Sequence, residues 1–303
     1  MKHPNDGVAV DVLTIGSIHL DHQFSVDALP GPGETVLALS AQRGLGGKGA
    51  NQAAAASRAG ARSAFFGFVG DDPQSADILQ RLHGLGVDVS AVVTVQGAES
   101  GSAIVVRDAK GENQIVVNSG AGAEGRVTDA SLADQISKAR VLVVQGELPS
   151  VLSVRAARLA HELNVRLVIN LAPVASFDGV LQWADPLVVN EVEAAQLVGG
   201  DARHTDETLV LRLGDLAKTV VVTLGARGAI YLENGSVRRV PARVARQVVD
   251  TTGAGDAFVG SLAAALARGA ALGQAVGVAV VAASLSVENL GAAETYPMFE
   301  AGS

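Results

Sequence analysis

Short apolar runs recur along the chain and alternate with longer stretches of helical period. Val8–Ile15, Ser63–Val69, Val141–Val144, Arg166–Ile169, Leu187–Val189 and Thr219–Leu224 are β-branched and bounded by Gly, Asn or Pro, the marks of strands buried on both faces. Between them lie helical patterns. Gly49–Ala59 is Ala-rich and stops at Gly60, a residue suited to the position after a helix. Asp72 and Pro73 open the next helix as cap and first residue, and Gly84 closes it. Asp129–Ala139, Pro149–Leu163, Glu191–Val198, Gly255–Arg268 and Leu272–Val287 carry the same period. Strand–helix alternation over most of the length predicts an α/β fold: a mainly parallel central sheet with helices on both faces.

Two stretches break the alternation. Residues 18–42 carry the extended PGPGETV segment and no helical period, and residues 92–118 alternate as strands, with turns at Gly97 and Lys110-Gly111. Together they predict a small β insertion built from two separate pieces, which in an α/β enzyme is often a lid. Asn234-Gly235, between Ile230–Leu232 and Val237–Val240, is a hairpin signal. No linker, repeat or low-complexity tract divides the chain, so residues 1–303 are expected to form a single domain.

Composition narrows the function. The 303 residues are 48% hydrophobic but only 3% aromatic, with 35 Gly and no Cys. Absent cysteine excludes disulfides, thiolate metal sites and cysteine nucleophiles, and fits a reducing cytoplasm. A formal charge of −8 opposes general nucleic-acid binding, and scarce aromatics oppose base stacking. The polar MKHPNDG start has no signal-peptide core, and the uncharged run Gly269–Val287 contains Gln274, Ser284 and Ser286. A buried helix at a sheet face suits that run better than a membrane span.

Two glycine-rich segments carry candidate chemistry. In Val249-Asp250-Thr251-Thr252-Gly253-Ala254-Gly255-Asp256, a strand-like run leads through two glycines into an Ala-rich helix. Glycines let a ligand approach the backbone, and the free N–H groups and dipole of a helix start favour an anion. A carboxylate in that first turn, Asp256, suits proton acceptance from an attacking hydroxyl during phosphoryl transfer. The same residues also suit a plain glycine loop with a helix-capping Asp. The second segment, Gly44-Leu45-Gly46-Gly47-Lys48-Gly49-Ala50-Asn51, departs from the P-loop pattern because Gly49 follows Lys48. It matches G-x-G-x-x-G at Gly44, Gly46 and Gly49, which keeps a nicotinamide-dependent oxidoreductase as a remote alternative. Lys48 and Asn51 could instead grip the hydroxyls of a small polar ligand.

GGKGANQAAAASRAG and DTTGAGDAF resemble the two signatures of the ribokinase family of sugar kinases. GSIHLD, PGETV, GFVGDD, GELP, NLAP, NEVEA and TLGARG lie between and around them in the family's order, so the resemblance spans nearly the whole chain. It implies a three-layer ribokinase-like fold with a small β-sheet lid, and transfer of the ATP γ-phosphate to a hydroxymethyl group. The expected acceptor is a small sugar, most of all ribose, giving a 5-phosphate; another sugar or a nucleoside is the alternative. Asp256 would be the base, and Gly253, Ala254 and Gly255 the anion hole. His19, Asp21, Gly46, Gly47, Lys48, Asn51 and Glu147 would bind the sugar. Asn190, Thr223, Gly225, Gly228 and Gly255 would meet the nucleotide. Asn190 and Glu193 would act on Mg²⁺ through its waters. Asp250 and Thr252, with carbonyls from residues 289–295, would hold a monovalent cation, usually potassium. The lid often pairs with a second subunit's, which implies a homodimer, and neither nucleic acid nor membrane is an expected partner. There are departures. His19 stands where ribose kinases usually carry Asn, and the tail after Leu290 lacks the usual Gln-Pro-Ser-type ending and the long C-terminal helix.

Overall fold

The computed structural model describes residues 9–110, 112–199 and 205–298. The MKHPNDG start and Val8, Gly111 of the expected turn, and the last five residues lie outside the described residues. Strands β1 (Val10–Ile15), β2 (His19–Ser25) and β3 (Ser40–Gly46) lead to helix α1 (Lys48–Arg58). Strands β4 (Ser63–Phe66) and β5 (Phe68–Gly70), helix α2 (Pro73–Gly84), and strands β6 (Val87–Asp88), β7 (Val93–Val95), β8 (Gly101–Arg107) and β9 (Asn113–Asn118) follow. Next come helices α3 (Ala121–Glu124) and α4 (Asp129–Ile136), strand β10 (Ala139–Gln145), helix α5 (Ser150–Glu162), and strands β11 (Arg166–Asn170) and β12 (Leu187–Asn190). The chain continues through helices α6 (Glu191–Leu197) and α7 (Asp206–Leu213), strands β13 (Val220–Thr223), β14 (Ala229–Glu233) and β15 (Ser236–Val240), and helices α8 (Ala254–Ala267) and α9 (Leu272–Ser286).

The central sheet has the order β15-β14-β13-β12-β11-β10-β1-β4-β6. It is parallel from β6 to β13, and the β14–β15 hairpin adds an antiparallel end at Asn234-Gly235. Period-two alternation sends successive side chains to opposite faces. Leu13, Ile15, Leu142, Val144 and Ile169 pack with Leu132, Ile136, Leu152 and Ala156 of α4 and α5. Val12, Val141, Val143, Val168 and Val221 pack with Phe258, Leu262, Leu266, Val276 and Ala279 of α8 and α9. These are the expected three layers. Residues 272–286 form a buried-face helix, and among the described residues no helix is long and apolar enough to cross a membrane.

A second sheet, in the order β3-β2-β8-β9, stands apart from the first. Its first piece runs to Gly46 rather than ending near Gln42, so Gly44 and Gly46 are strand residues. The run expected as one strand over Ser63–Val69 is broken at Gly67, where a Cβ would lie 2.6 Å from the Gly16 carbonyl oxygen. β4 joins the central sheet, whereas β5 turns away and pairs in parallel with β7. Val93–Val95 therefore lies outside the small sheet, although its alternation matched. Helices α3 and α7 are additions to the sequence reading. α7 is capped by Thr205, whose Oγ1 accepts from the Thr208 N–H.

Because β1, β10, β11, β12 and β13 are parallel, their carboxyl ends share one edge. Ser17, Glu147, Pro173, Asn190 and Thr223 all lie there, the place where open α/β sheets bind ligands.

Candidate active site

Helix α8 begins at Gly253, whose φ of 74° lies in the left-handed region. No side chain caps this end, so its first N–H groups are open to an anion. Ala254 N–H also makes a long 3.3 Å bond to the Thr251 carbonyl. The Tyr296 hydroxyl donates to the Gly253 carbonyl at 2.7 Å and fixes the turn from behind.

Asp256 sits in this first turn and is buried. Its Oδ2 accepts from Asn51 Nδ2 at 3.0 Å and its Oδ1 from Gln52 Nε2 at 2.9 Å. Gln52 is itself held: its Nε2 also donates to Asn170 Oδ1, and its Oε1 accepts from Gln145 Nε2. Burial pushes the Asp256 carboxyl above the usual carboxylate range, while the Lys48 charge and the two amide donors pull it back. A buried, raised carboxylate beside an open helix start can accept a proton as a neighbouring group gains negative charge.

Helix α1 starts close by. Gly47, its N-cap, has φ 93°, and a Cβ there would lie 2.7 Å from the Ser17 carbonyl oxygen. Only glycine fits this join of strand and helix. The Lys48 backbone N–H donates to Glu147 Oε2 at 2.9 Å, and Ser17 Oγ donates to the same oxygen. The Lys48 ammonium is held above its ordinary pKa by the Asp256 charge first, against burial, with Glu147 and Glu193 adding to the effect. It is therefore a fixed positive charge in the site.

On β2, His19 and Asp21 project to one face, with His19 Nδ1 3.3 Å from Asp21 Oδ1. Gly46 pairs opposite His19, and a Cβ on Gly46 would run into the Asp21 carboxylate. A pocket of about 260 Å³ opens between the two sheets. His19, Ser17, Ser119 and Glu147 are its polar side chains, and Ile18, Phe68, Val117, Leu148 and Pro173 its apolar walls. Asn51 Oδ1 is buried beside Asp256 without a hydrogen-bond partner. A buried carbonyl oxygen left so calls for a donor such as a ligand hydroxyl.

The second cleft, about 560 Å³, lies across the α8 start. Thr223, Gly225 and Gly228 form one wall, and Val244, Phe258, Val280 and Val287 an apolar one. Gly255 lines it as well, so the helix start faces this cleft. Asn190 pairs with Thr223 in register and caps α6. Its Oδ1 accepts from Glu193 N–H at 2.9 Å, and Glu193 Oε2 accepts from Asn190 N–H at 2.8 Å. Burial pushes Glu193 up, with the Asn190 N–H and the Lys48 charge opposing. Among the described residues no three His, Cys, Asp or Glu side chains gather as a metal-ligand set. The donor set here is one amide and one carboxylate with Oε1 outside the cap. That fits a hard cation whose remaining ligands are waters and phosphate oxygens.

The expected cation cradle is different. Asp250 Oδ1 accepts from Thr252 N–H at 3.0 Å, Thr252 Oγ1 at 2.7 Å and Arg107 Nη2 at 2.8 Å, and Oδ2 accepts from Gly291 N–H at 3.0 Å. Arg107 Nη2 also reaches Thr252 Oγ1 at 3.1 Å. Burial pushes Asp250 up, but these donors outweigh it and hold the carboxyl below its ordinary range. As it stands the cradle does not fit a monovalent cation: a guanidinium already supplies the charge. The potassium expected at Asp250 and Thr252 meets a filled place.

Of the other residues singled out in the sequence, His19 and Glu147 line the first opening, and Thr223, Gly225, Gly228, Ala254 and Gly255 the second; the Lys48 N–H is bonded to Glu147, Asn51 to Asp256, and Asp21 lies beside His19. The fingerprint reading of Gly44, Gly46 and Gly49 fails: β3 runs antiparallel to β2 in the small sheet, so the strand-to-helix turn at Gly47 does not open a parallel βαβ unit. No role was expected of Gln52, Gln145, Asn170, Ser17, Tyr296 and Arg107, although Gln52, Ser17 and Asn170 fall within the GGKGANQ, GSIHLD and NLAP segments. For Gln145 and Asn170 a signal existed, since each is a polar residue ending an apolar run. Tyr296 and Arg107 carried none, because only the fold brings them to the helix start.

A family profile described as pfkB family carbohydrate kinase matches residues 10–298. The ribokinase of Haemophilus influenzae is 33% identical over 290 residues, covering 93% of this chain and 94% of that protein. The bifunctional ribokinase/ribose-5-phosphate isomerase A of Fructilactobacillus sanfranciscensis is 32% identical over 299 residues; this chain spans 55% of its length. Among solved structures, Arabidopsis thaliana ribokinase complexed with ribose and ATP superposes with a TM-score of 0.88 at 29% identity, covering 96% of each chain.

Proposed function

The chain belongs to the pfkB family of carbohydrate kinases, and from that premise we propose that it phosphorylates ribose with ATP, giving ribose 5-phosphate. The observation that carries this is the buried Asp256 carboxylate, held by Asn51 and Gln52 in the first turn of an uncapped helix whose Ala254 and Gly255 line the larger cleft. The sugar occupies the first, where Asp21, Asn51 and Glu147 accept from its hydroxyls and Lys48, Gly46 and Gly47 hold the closing edge. His19 adds bulk and a ring nitrogen at the pocket floor. ATP occupies the second, along Thr223, Gly225 and Gly228.

The hydroxymethyl O–H passes its proton to Asp256 while the oxygen attacks the γ-phosphorus; the bond to the β-phosphate oxygen breaks and ADP leaves. The N–H groups of Gly253, Ala254 and Gly255 stabilise charge on the transferred phosphoryl group. Mg²⁺ would be held near Asn190 and Glu193 through water and would neutralise phosphate charge. Lys48 keeps Asp256 ionised enough to act. A monovalent cation at Asp250 and Thr252 is a competitor for the place Arg107 holds. The small sheet serves as lid. Its edge strand β9 exposes Ile115, Val116 and Val117, which supports pairing with the same strand of a second copy. We assign the reaction to the cytoplasm, where ATP and sugar meet.

Purified protein is tested with ATP, Mg²⁺ and a panel of pentoses, hexoses and nucleosides, scored by ADP release, with phosphorus NMR locating the ester. Ribose is expected to give the highest kcat/KM and a 5-phosphate. A nucleoside or hexose that outperforms ribose would overturn the substrate, and ADP release without any phosphate ester would overturn the transfer.

A further inference from the structure

We propose that the Arg107 guanidinium is a tethered cation at the Asp250–Thr252 cradle, taking the place of a free monovalent ion beside the anion hole. The idea rests on the reading of the Gly253–Asp256 turn as the phosphoryl-transfer site.

The hydrogen-bond inventory of Asp250 is the first argument. A carboxylate offers about four acceptor positions. Thr252 N–H, Thr252 Oγ1 and Arg107 Nη2 crowd Oδ1, and Gly291 N–H takes one side of Oδ2. An inorganic cation on Oδ1 would have to displace Arg107, and one on Oδ2 would be repelled by it. Burial is the second argument. The Asp250 side chain is only 5% exposed, and a buried carboxylate needs a positive partner. Arg is the apt one, since it stays charged at any working pH. Placement is the third. Arg107 ends β8, where its carbonyl accepts from Val26 N–H at 2.9 Å, so the side chain springs from a paired strand of the small sheet. Asp250 and Thr252 immediately precede Gly253, the N-cap of α8. The positive charge therefore reaches the anion hole from the sheet that roofs the sugar pocket.

The test compares wild type with Arg107→Met, and with Arg107→Gln should Met fold poorly. Thermal midpoints and kcat are measured in potassium chloride and in tetramethylammonium chloride at equal ionic strength. The wild type is expected to show the same midpoint and kcat in both salts. The variant is expected to gain a midpoint rise of roughly 2–4 °C at potassium about tenfold above its dissociation constant. Its kcat in potassium should exceed that in tetramethylammonium on the order of tenfold. A wild type stabilised by potassium as much as the variant, or a folded variant with no potassium response, overturns the proposal. The midpoints need no substrate: a protein that phosphorylates no sugar would refute the kinase reading and leave this comparison standing.

Discussion

Gln52 offers the sharpest check on how Asp256 is tuned. Its Nε2 donates to Asp256 Oδ1 at 2.9 Å in a buried setting, and a donor on the ionised form favours that form. Gln52→Met keeps the length of the side chain and removes the donor. A hydrogen bond to a charged group is worth about 1.5–3 kcal/mol. At about 1.4 kcal/mol per decade, its loss shifts the protonation equilibrium by about 10–100-fold towards the neutral acid. Asn51 still donates to Oδ2, so the lower figure is expected. The acid limb of the pH–rate profile should therefore move to higher pH, with kcat at a fixed pH on that limb falling about tenfold. Above the limb, where the base is ionised in both proteins, kcat should recover most of the difference. The substitution also strips partners from Gln145 Nε2 and Asn170 Oδ1, each at a cost of about 1–3 kcal/mol. Rates must accordingly be taken well below the variant's melting point. The assay is coupled ADP release across the pH range at saturating ATP. An equal loss at every pH, with the limb unmoved, would show that Gln52 supports the fold and does not tune the base.

Two further outcomes follow from the same geometry. Asp256→Asn should lower kcat by about 10²–10⁴-fold. It should also raise the thermal midpoint at alkaline pH, since a buried carboxyl with a raised pKa favours the neutral form. That gain should shrink as pH falls through the wild-type carboxyl's pKa, because the folded wild type then binds a proton the unfolded chain still lacks; a constant gain at all pH would contradict the assigned direction. Gly46→Ala should raise the sugar KM with little effect on that of ATP, because the new methyl displaces the Asp21 carboxylate. Equal effects on both substrates would remove Asp21 from the sugar pocket.

The sequence made the layered sheet legible because parallel strands buried on both faces read as short apolar runs rich in Val and Ile, and helices such as α1 and α8 stop just before a glycine. It made the two helix starts legible because GGKGAN and GAGD need their glycines for backbone approach at Gly47 and Gly253. What stayed hidden depended on long-range meeting. Arg107 is separated from Asp250 by most of a sheet's worth of chain, and Tyr296 approaches Gly253 only after the tail folds back. The break at Gly67 was hidden for a similar reason. The run Ser63–Val69 is apolar after its first residue, and only the fold brings the Gly16 carbonyl and the Phe65 ring so close to Gly67 that no side chain fits there.

The walls of the smaller pocket bear on economy in the cell. Asp256 would take a proton from water as well as from a sugar, so a wet site would hydrolyse ATP to no purpose. Phe68, Val117 and Leu148 would face the carbon skeleton of a sugar, and beside Asp256 the unpartnered Asn51 Oδ1 would accept from a hydroxyl. A sugar filling the chamber would be both the acceptor and the stopper: it would leave no room for the wasteful nucleophile, and nucleotide turnover would follow the supply of sugar.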